Sequence, residues 1–191
     1  MRYLSFDLEA TGLEQNDLII EFACLPIDVK EKTLVEELSF HRFIYCPSFD
    51  ELKPKLNPWV IKNNETLIKK AHLEGEKLAT FKESFESYLN KPEIQKFFNH
   101  QPIVLFGKSI NAIDLPFLNR DLGWEFMRKY FSHRVQDLSS ISYAFMDKGI
   151  LPAGSESGSK LMEFLKMGEV AHTALEDSVN TAKMYFKILD L

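Results

Sequence analysis

Before Pro47 the apolar residues fall in runs of strand length, and after it the texture becomes helical. That order sharply limits the fold. Residues 2–9, 18–28 and 34–45 read as three strands, joined by turns at TGLEQND and VKEKT that are short enough for an antiparallel meander. Helical texture follows near 57–72, 80–90 and 92–98, and the short run IVLF at 103–106 reads as a buried strand leading into a helix at 111–122. A strand returning after a helical crossover pairs in parallel, so the expected sheet is mixed. Further helices are predicted near 137–147, 160–166 and 174–190, with a Gly/Ser-rich connection, AGSESGS, at 153–159 that reads as a solvated loop, a mobile flap over a site being the alternative. The fold class is therefore α/β: a central sheet of three antiparallel strands plus parallel ones, flanked by helices. With 45% hydrophobic residues in 191 and no long linker, one domain over 1–191 is expected.

A net charge of −5 excludes a protein that coats long nucleic acid, because such binding relies on many Lys and Arg displacing counterions. It leaves open a small footprint on a polyanion, particularly if several acids are gathered at a metal site. No apolar run approaches the ~18 residues of a membrane helix, and Asp7 and Glu9 interrupt the stretch a signal peptide would need. Cys24 and Cys46 lack CxxC spacing and read as buried free thiols, which suits a reducing cytoplasm.

The chemistry begins on the first strand. Alternation sends Leu4, Phe6 and Leu8 to one face and Tyr3, Ser5, Asp7 and Glu9 to the other, so two carboxylates share a face at the strand's end. Neighbouring like charges at the end of an apolar strand require water or a cation. Taken alone, the pair serves equally well as a solvated strand end. In GKSINAIDLPFL, after the IVLF strand, Asn111 or Asp114 is placed to cap a helix whose first turn tolerates Pro116. On the last helix, Glu176, Asn180, Lys183, Lys187 and Asp190 form a polar stripe; Leu175, Val179, Ala182, Phe186 and Leu189 form an apolar seam. Asp177 falls off the polar stripe, among Met184 and Ile188, and His172 hangs from the loop before it.

FDLEATGL, NAIDLPFL and HTALED, in that order, resemble the three exonuclease motifs of the DEDDh 3′→5′ exonucleases, which have a ribonuclease H-like fold. GKSINAIDLPFL, YFSHRVQDLSSI and DLEATGLEQNDLIIEFA look most like oligoribonuclease, and the proofreading exonuclease of bacterial DNA polymerase is the next nearest likeness. The resemblance implies Asp7, Glu9, Asp114 and Asp177 as ligands of two Mg²⁺ or Mn²⁺ ions and His172 as general base, releasing nucleoside monophosphates. It also implies that Thr11, Gly12 and Leu13 meet the terminal nucleotide, with Leu13 wedged beside a base. The implied substrates are the 3′ ends of short or single-stranded RNA or DNA. Oligoribonucleases act as dimers, so a homodimer is implied as well. A silent nucleic-acid-binding or adaptor module on the same fold, and a hydrolase of other phosphodiesters, remain alternatives.

Lys108 stands where oligoribonuclease-like enzymes commonly carry Asn, and it suits phosphate binding or an exposed turn equally well; the same holds for Arg120, His133 and Arg134. His41, His72 and His100 have no ligand spacing and are assigned structural or surface roles. Trp59 and the Phe residues of 81–98 have helical spacing and are expected in packing.

Overall fold

The computed structural model of the chain describes residues 1–168 and 173–191. Four strands open it: β1 (Arg2–Ala10), β2 (Ile19–Asp28), β3 (Thr33–Leu34) and β4 (Phe40–Phe43). Then come α1 (Phe49–Leu52), α2 (Pro58–Asn63), α3 (Glu65–Glu74), α4 (Leu78–Leu89) and α5 (Pro92–Phe97). Strand β5 (Leu105–Gly107) leads to α6 (Asp114–Leu122) and α7 (Trp124–Tyr130); β6 (Gln136–Asp137), α8 (Leu138–Asp147), α9 (Gly158–Phe164) and α10 (Ala174–Ile188) complete it.

The sheet runs β3-β2-β1-β5-β6, with β4 beside β3 on the outer edge of β2. β1 pairs antiparallel with β2, from Arg2↔Asp28 to Ala10↔Ile19, and parallel with β5 through Leu4↔Leu105 and Ser5↔Phe106. β5 and β6 are parallel as well, so the sheet is mixed, as the strand order in the sequence predicts.

Several boundaries differ from the sequence reading, each for a local reason. The third strand is broken: Leu34 pairs with Ile27 and Phe40 with Cys24, so five residues bulge between two short ladders and Glu36–Leu38 close into a 3₁₀ turn. The helix expected at 57–72 is two helices that part at Asn64, a buried residue whose side-chain amide approaches the carbonyl of Ala10 at 3.5 Å. α6 begins at Asp114 and not at 111, with Ile113 in the cap position, so neither Asn111 nor Asp114 makes a side-chain cap. The two-residue strand β6 and the helices α1 and α7 are additions, too short for their periodicity to stand out.

Two apolar layers sandwich the sheet. On one side Leu4, Phe6, Leu8 and Phe22 meet Phe40, Phe81, Phe85 and Tyr88, with the Phe22 and Phe85 rings 4.9 Å apart. On the other side α10 crosses β1 and β2, burying Tyr3, Leu25, Ile27 and Phe106 against Ala182, Tyr185 and Ile188. The buried face of α10 is Ala174, Ser178, Thr181, Ala182, Met184, Tyr185, Phe186 and Ile188; of the expected seam Ala182 and Phe186 are buried, whereas Leu189 is exposed and Leu175 and Val179 are only half-buried. Small side chains in its first two turns let the helix lie close, and the Ser5 hydroxyl donates to the carbonyl of Ser178 at 2.7 Å.

Candidate active site

β5 ends at Gly107 while β1 continues to Ala10, so the last residues of β1 have no strand beside them on that edge. The start of α6 fills part of the gap. The Asp114 carboxyl is buried and accepts from the backbone N–H of Leu8 and from its own. Asp7 and Glu9 project from β1 toward α10, whose first turn brings in Asp177. Oxygens of Asp7, Glu9 and Asp177 lie within 4.8 Å of one another. Asp114 lies near enough to Asp7 to act on its ionisation.

The electrostatics are those of crowded, desolvated carboxyls. Burial, with Asp114, Glu9, Asp177 and Glu21 adding to it, holds Asp7 well above the usual carboxylate range. Glu9 is pushed up to about 7, by burial first and then by Asp177, Glu21 and Asp114, against a side-chain hydrogen bond from Asn64. Asp114 is likewise raised to about 7 by burial, although the two backbone donors and Lys108 oppose the shift. Such a cluster is unfavourable when fully ionised, and a dication among the oxygens removes that penalty. An all-carboxylate donor set is the type that hard Mg²⁺ or Mn²⁺ prefers, so the residues fit the implied ions.

The turn after β1 is tightly built. The Thr11 hydroxyl donates to Asp17 Oδ1 at 3.0 Å and accepts from the Leu18 N–H at 2.9 Å, and the Glu14 N–H donates to Asp17 Oδ2 at 2.8 Å. A Cβ at Gly12 would come within 2.3 Å of Asp17, so glycine is what lets that carboxylate sit inside the turn. Arg120 anchors the turn from α6, donating to the carbonyls of Gln15 and Asp17. Leu13, by contrast, is 73% exposed at the tip.

Lys108 packs beneath Gly158 at the start of α9 and is close enough to influence Asp114; His133 and Arg134 lie exposed on the surface. His172 lies outside the described residues. Trp59 is 55% exposed, whereas Phe81 and Phe85 are buried as expected. Cys24 and Cys46 are buried free thiols, and the His72 ring hydrogen-bonds the Cys46 carbonyl at 2.9 Å.

Glu21 was not singled out in the sequence. It is buried directly across the ladder from Glu9, one oxygen 2.6 Å from His41 Nε2 and the other accepting from the Ala174 N–H at 3.2 Å. Asp17 and Asp137 were missed as well; Asp137 caps α8 by accepting from Ser140 and also holds the N–H of Ile110. The available signal was a lone acid inside an apolar run, as in LIIEFAC.

The RNase T family, described as an exonuclease, matches residues 4–185. No curated protein matches the chain by sequence. Among solved structures, cell-death related nuclease 4 superposes with a TM-score of 0.70 at 16% identity, covering 99% of this chain and 64% of that one. Exonuclease I of E. coli in complex with a 5cy-dT13 oligonucleotide gives 0.70 at 19%, covering 99% and 40%. The nuclease domain of 3′hExo, described as a DEDDh family member bound to rAMP, gives 0.64 at 13%, covering 99% and 92%. At these identities the likeness is one of fold, and it is the ribonuclease H-like architecture the motifs implied. This chain spans less than two thirds of the first two proteins.

Proposed function

The chain belongs to the RNase T exonuclease family, and on that premise we propose that it removes nucleoside monophosphates from the 3′ ends of short or single-stranded RNA or DNA. One observation carries the reading: Asp7, Glu9 and Asp177 converge to within 4.8 Å beside a buried Asp114. We assign these four as the holders of two divalent ions, Mg²⁺ or Mn²⁺. When bound, the ions supply an activated water on one side of the scissile phosphate and charge stabilisation at the departing 3′ oxygen on the other.

The chain's own residues do the rest. His172, placed five positions before Asp177, accepts the proton of the attacking water, as an imidazole titrating near neutrality can. The turn Thr11–Gly12–Leu13 receives the terminal nucleotide. Thr11 and Gly12 give that turn its shape, and the exposed Leu13 side chain wedges beside a base. Oligonucleotide binding by the structural neighbour exonuclease I supports a nucleic-acid substrate.

Residues 1–191 are taken to work as one exonuclease domain, as a homodimer in the cytoplasm. The two buried thiols support a reducing compartment, and among the described residues no helix is long and apolar enough to cross a membrane. A silent binding module is disfavoured, since it gains nothing from repelling carboxyls held together in a desolvated cluster.

The test is to incubate the purified chain with 3′- and 5′-labelled RNA and DNA oligonucleotides of several lengths, with Mg²⁺, Mn²⁺ or chelator. Stepwise shortening from the 3′ end that stops with chelator is the expected result. No cleavage under any condition would return the chain to the binding-module reading, and cleavage of a simple aryl phosphodiester without 3′ trimming would move it to another phosphoesterase activity.

A further inference from the structure

An acid at position 21 is costly, because Glu21 lies on the same face as Glu9 and its charge raises the cost of ionising both Asp7 and Glu9. An apolar residue would continue the buried run of β2 without that penalty. What the carboxylate provides instead is a pair of directed contacts. One oxygen meets His41 Nε2 at 2.6 Å, and the other accepts the N–H of Ala174 at 3.2 Å. Ala174 is the first residue of α10, and its N–H is among those that a helix start leaves without an intrahelical partner. The Thr173 hydroxyl already serves Glu176, so a group from across the sheet completes the cap.

One turn further on, the carbonyl of Ser178 accepts from Ser5. The first turn of α10 is thereby pinned to β2 at Ala174 and to β1 at Ser178, and Asp177 lies between the two pins. His41 reaches in from β4, its side chain 33% exposed and its ring 4.9 Å from that of Phe43. Both oxygens of Glu21 are thus engaged, which keeps this acid out of the converging set of Asp7, Glu9 and Asp177.

We propose that Glu21, oriented by His41, is a positioning residue that braces the first turn of α10 and so sets where Asp177 meets the acids of β1. The inference rests on the nuclease reading for its kinetic consequence but not for its structural one.

The experiment compares Glu21→Ala, Glu21→Gln and His41→Ala by kcat and KM on a labelled oligonucleotide, and by amide hydrogen exchange in the metal-free protein. Glu21→Ala is expected to lower kcat roughly 10- to 100-fold with KM changed less than about threefold, the scale of a displaced reacting group. Amides of residues 174–178 should exchange faster while those of α4 keep their rates. Glu21→Gln should stay near the unaltered protein, since an amide oxygen still accepts from Ala174 and its N–H can face His41. His41→Ala should move in the direction of Glu21→Ala, by less. Unchanged kcat and exchange in Glu21→Ala would overturn the brace, as would a Glu21→Gln as impaired as the alanine variant. Should Glu21→Ala not fold, His41→Ala decides: an unaltered rate and exchange would overturn the proposal. An unaltered chain without nuclease activity would overturn the proposed function alone, and the exchange comparison would still decide the brace.

Discussion

The two faces of β1 do opposite things with the same backbone. Leu4, Phe6 and Leu8 enter a layer of aromatic rings in which Phe22, Phe40, Phe81 and Phe85 pack at centroid distances of 4.9–6.3 Å. Tyr3, Ser5, Asp7 and Glu9 face α10 and grade from apolar to acidic, matched across the ladder by Ile27, Leu25, Ala23 and Glu21. One face is favourable to fold and chemically inert. The other gathers like charges that oppose folding unless something neutralises them. The start of α10 eases that opposition slightly, because the positive end of the helix dipole lies at the acidic end of the gradient. Stability and function are therefore separable by face, and mutations on the two sides should fail in different ways.

The sharpest way to break this comparison is Asp7→Asn. On the acidic face it is expected to abolish turnover while raising the melting temperature of the metal-free protein, because it removes a carboxyl that burial and four neighbouring acids hold far from its ordinary ionisation. Calorimetry and an oligonucleotide assay on the same preparation check both halves. A fully active Asp7→Asn protein would sink the metal assignment. His172→Ala should lower the rate by roughly two to four orders of magnitude, the contribution of a positioned general base. Its metal-binding isotherm should keep the shape of the unaltered protein's.

On the aromatic face, Phe85→Ala is expected to cost about 3–5 kcal/mol of unfolding free energy, since a fully buried ring leaves a cavity among neighbours that cannot all close in. Denaturant unfolding measures it. The turnover per folded molecule should remain that of the unaltered chain. A Phe85→Ala protein that folds well but loses its metal would show that the two faces are coupled, and the separation would fail.

The sequence made the aromatic face and the acidic cluster legible for the same reason: both follow from strand alternation, and a period of two leaves no choice of face once Leu4, Phe6 and Leu8 are taken inward. Asp177 was readable as off the solvent stripe because α10 is long enough for its wheel to be sampled. What stayed hidden depends on partners far away in the chain. Glu21 gains its meaning from Ala174, 153 positions on, and the split at Asn64 from the carbonyl of Ala10. Neither contact leaves a local period. Gly12 and Asp17 form a turn whose logic is the steric room for one carboxylate, which spacing alone does not express.

The smallest expected effect sharpens the comparison through pH. Asp7, Glu9 and Asp114 all have folded-state values above the ordinary 3.8 to 4.5 of such carboxyls, with Glu9 and Asp114 near 7. The folded, metal-free protein therefore holds more protons than the unfolded chain between those limits, and stability must fall as pH rises through the window from about 4.5 to beyond 7. Each such group contributes at most ~1.4 kcal/mol per pH unit, and ~2–4 °C of melting temperature accompanies each kcal/mol in a domain of this size. A decline of several degrees between pH 5 and 8 is thus expected without metal. Added Mg²⁺ or Mn²⁺ should recover more of it at pH 8 than at pH 6, because the ions and the protons compete for the same oxygens. Asp7→Asn should flatten the profile, whereas Phe85→Ala should lower it at every pH without changing its slope. A metal-free melting temperature that holds steady or rises from pH 5 to 8 would mean that the acidic face is not under the electrostatic load described, and the contrast between the two faces would reduce to one of packing alone.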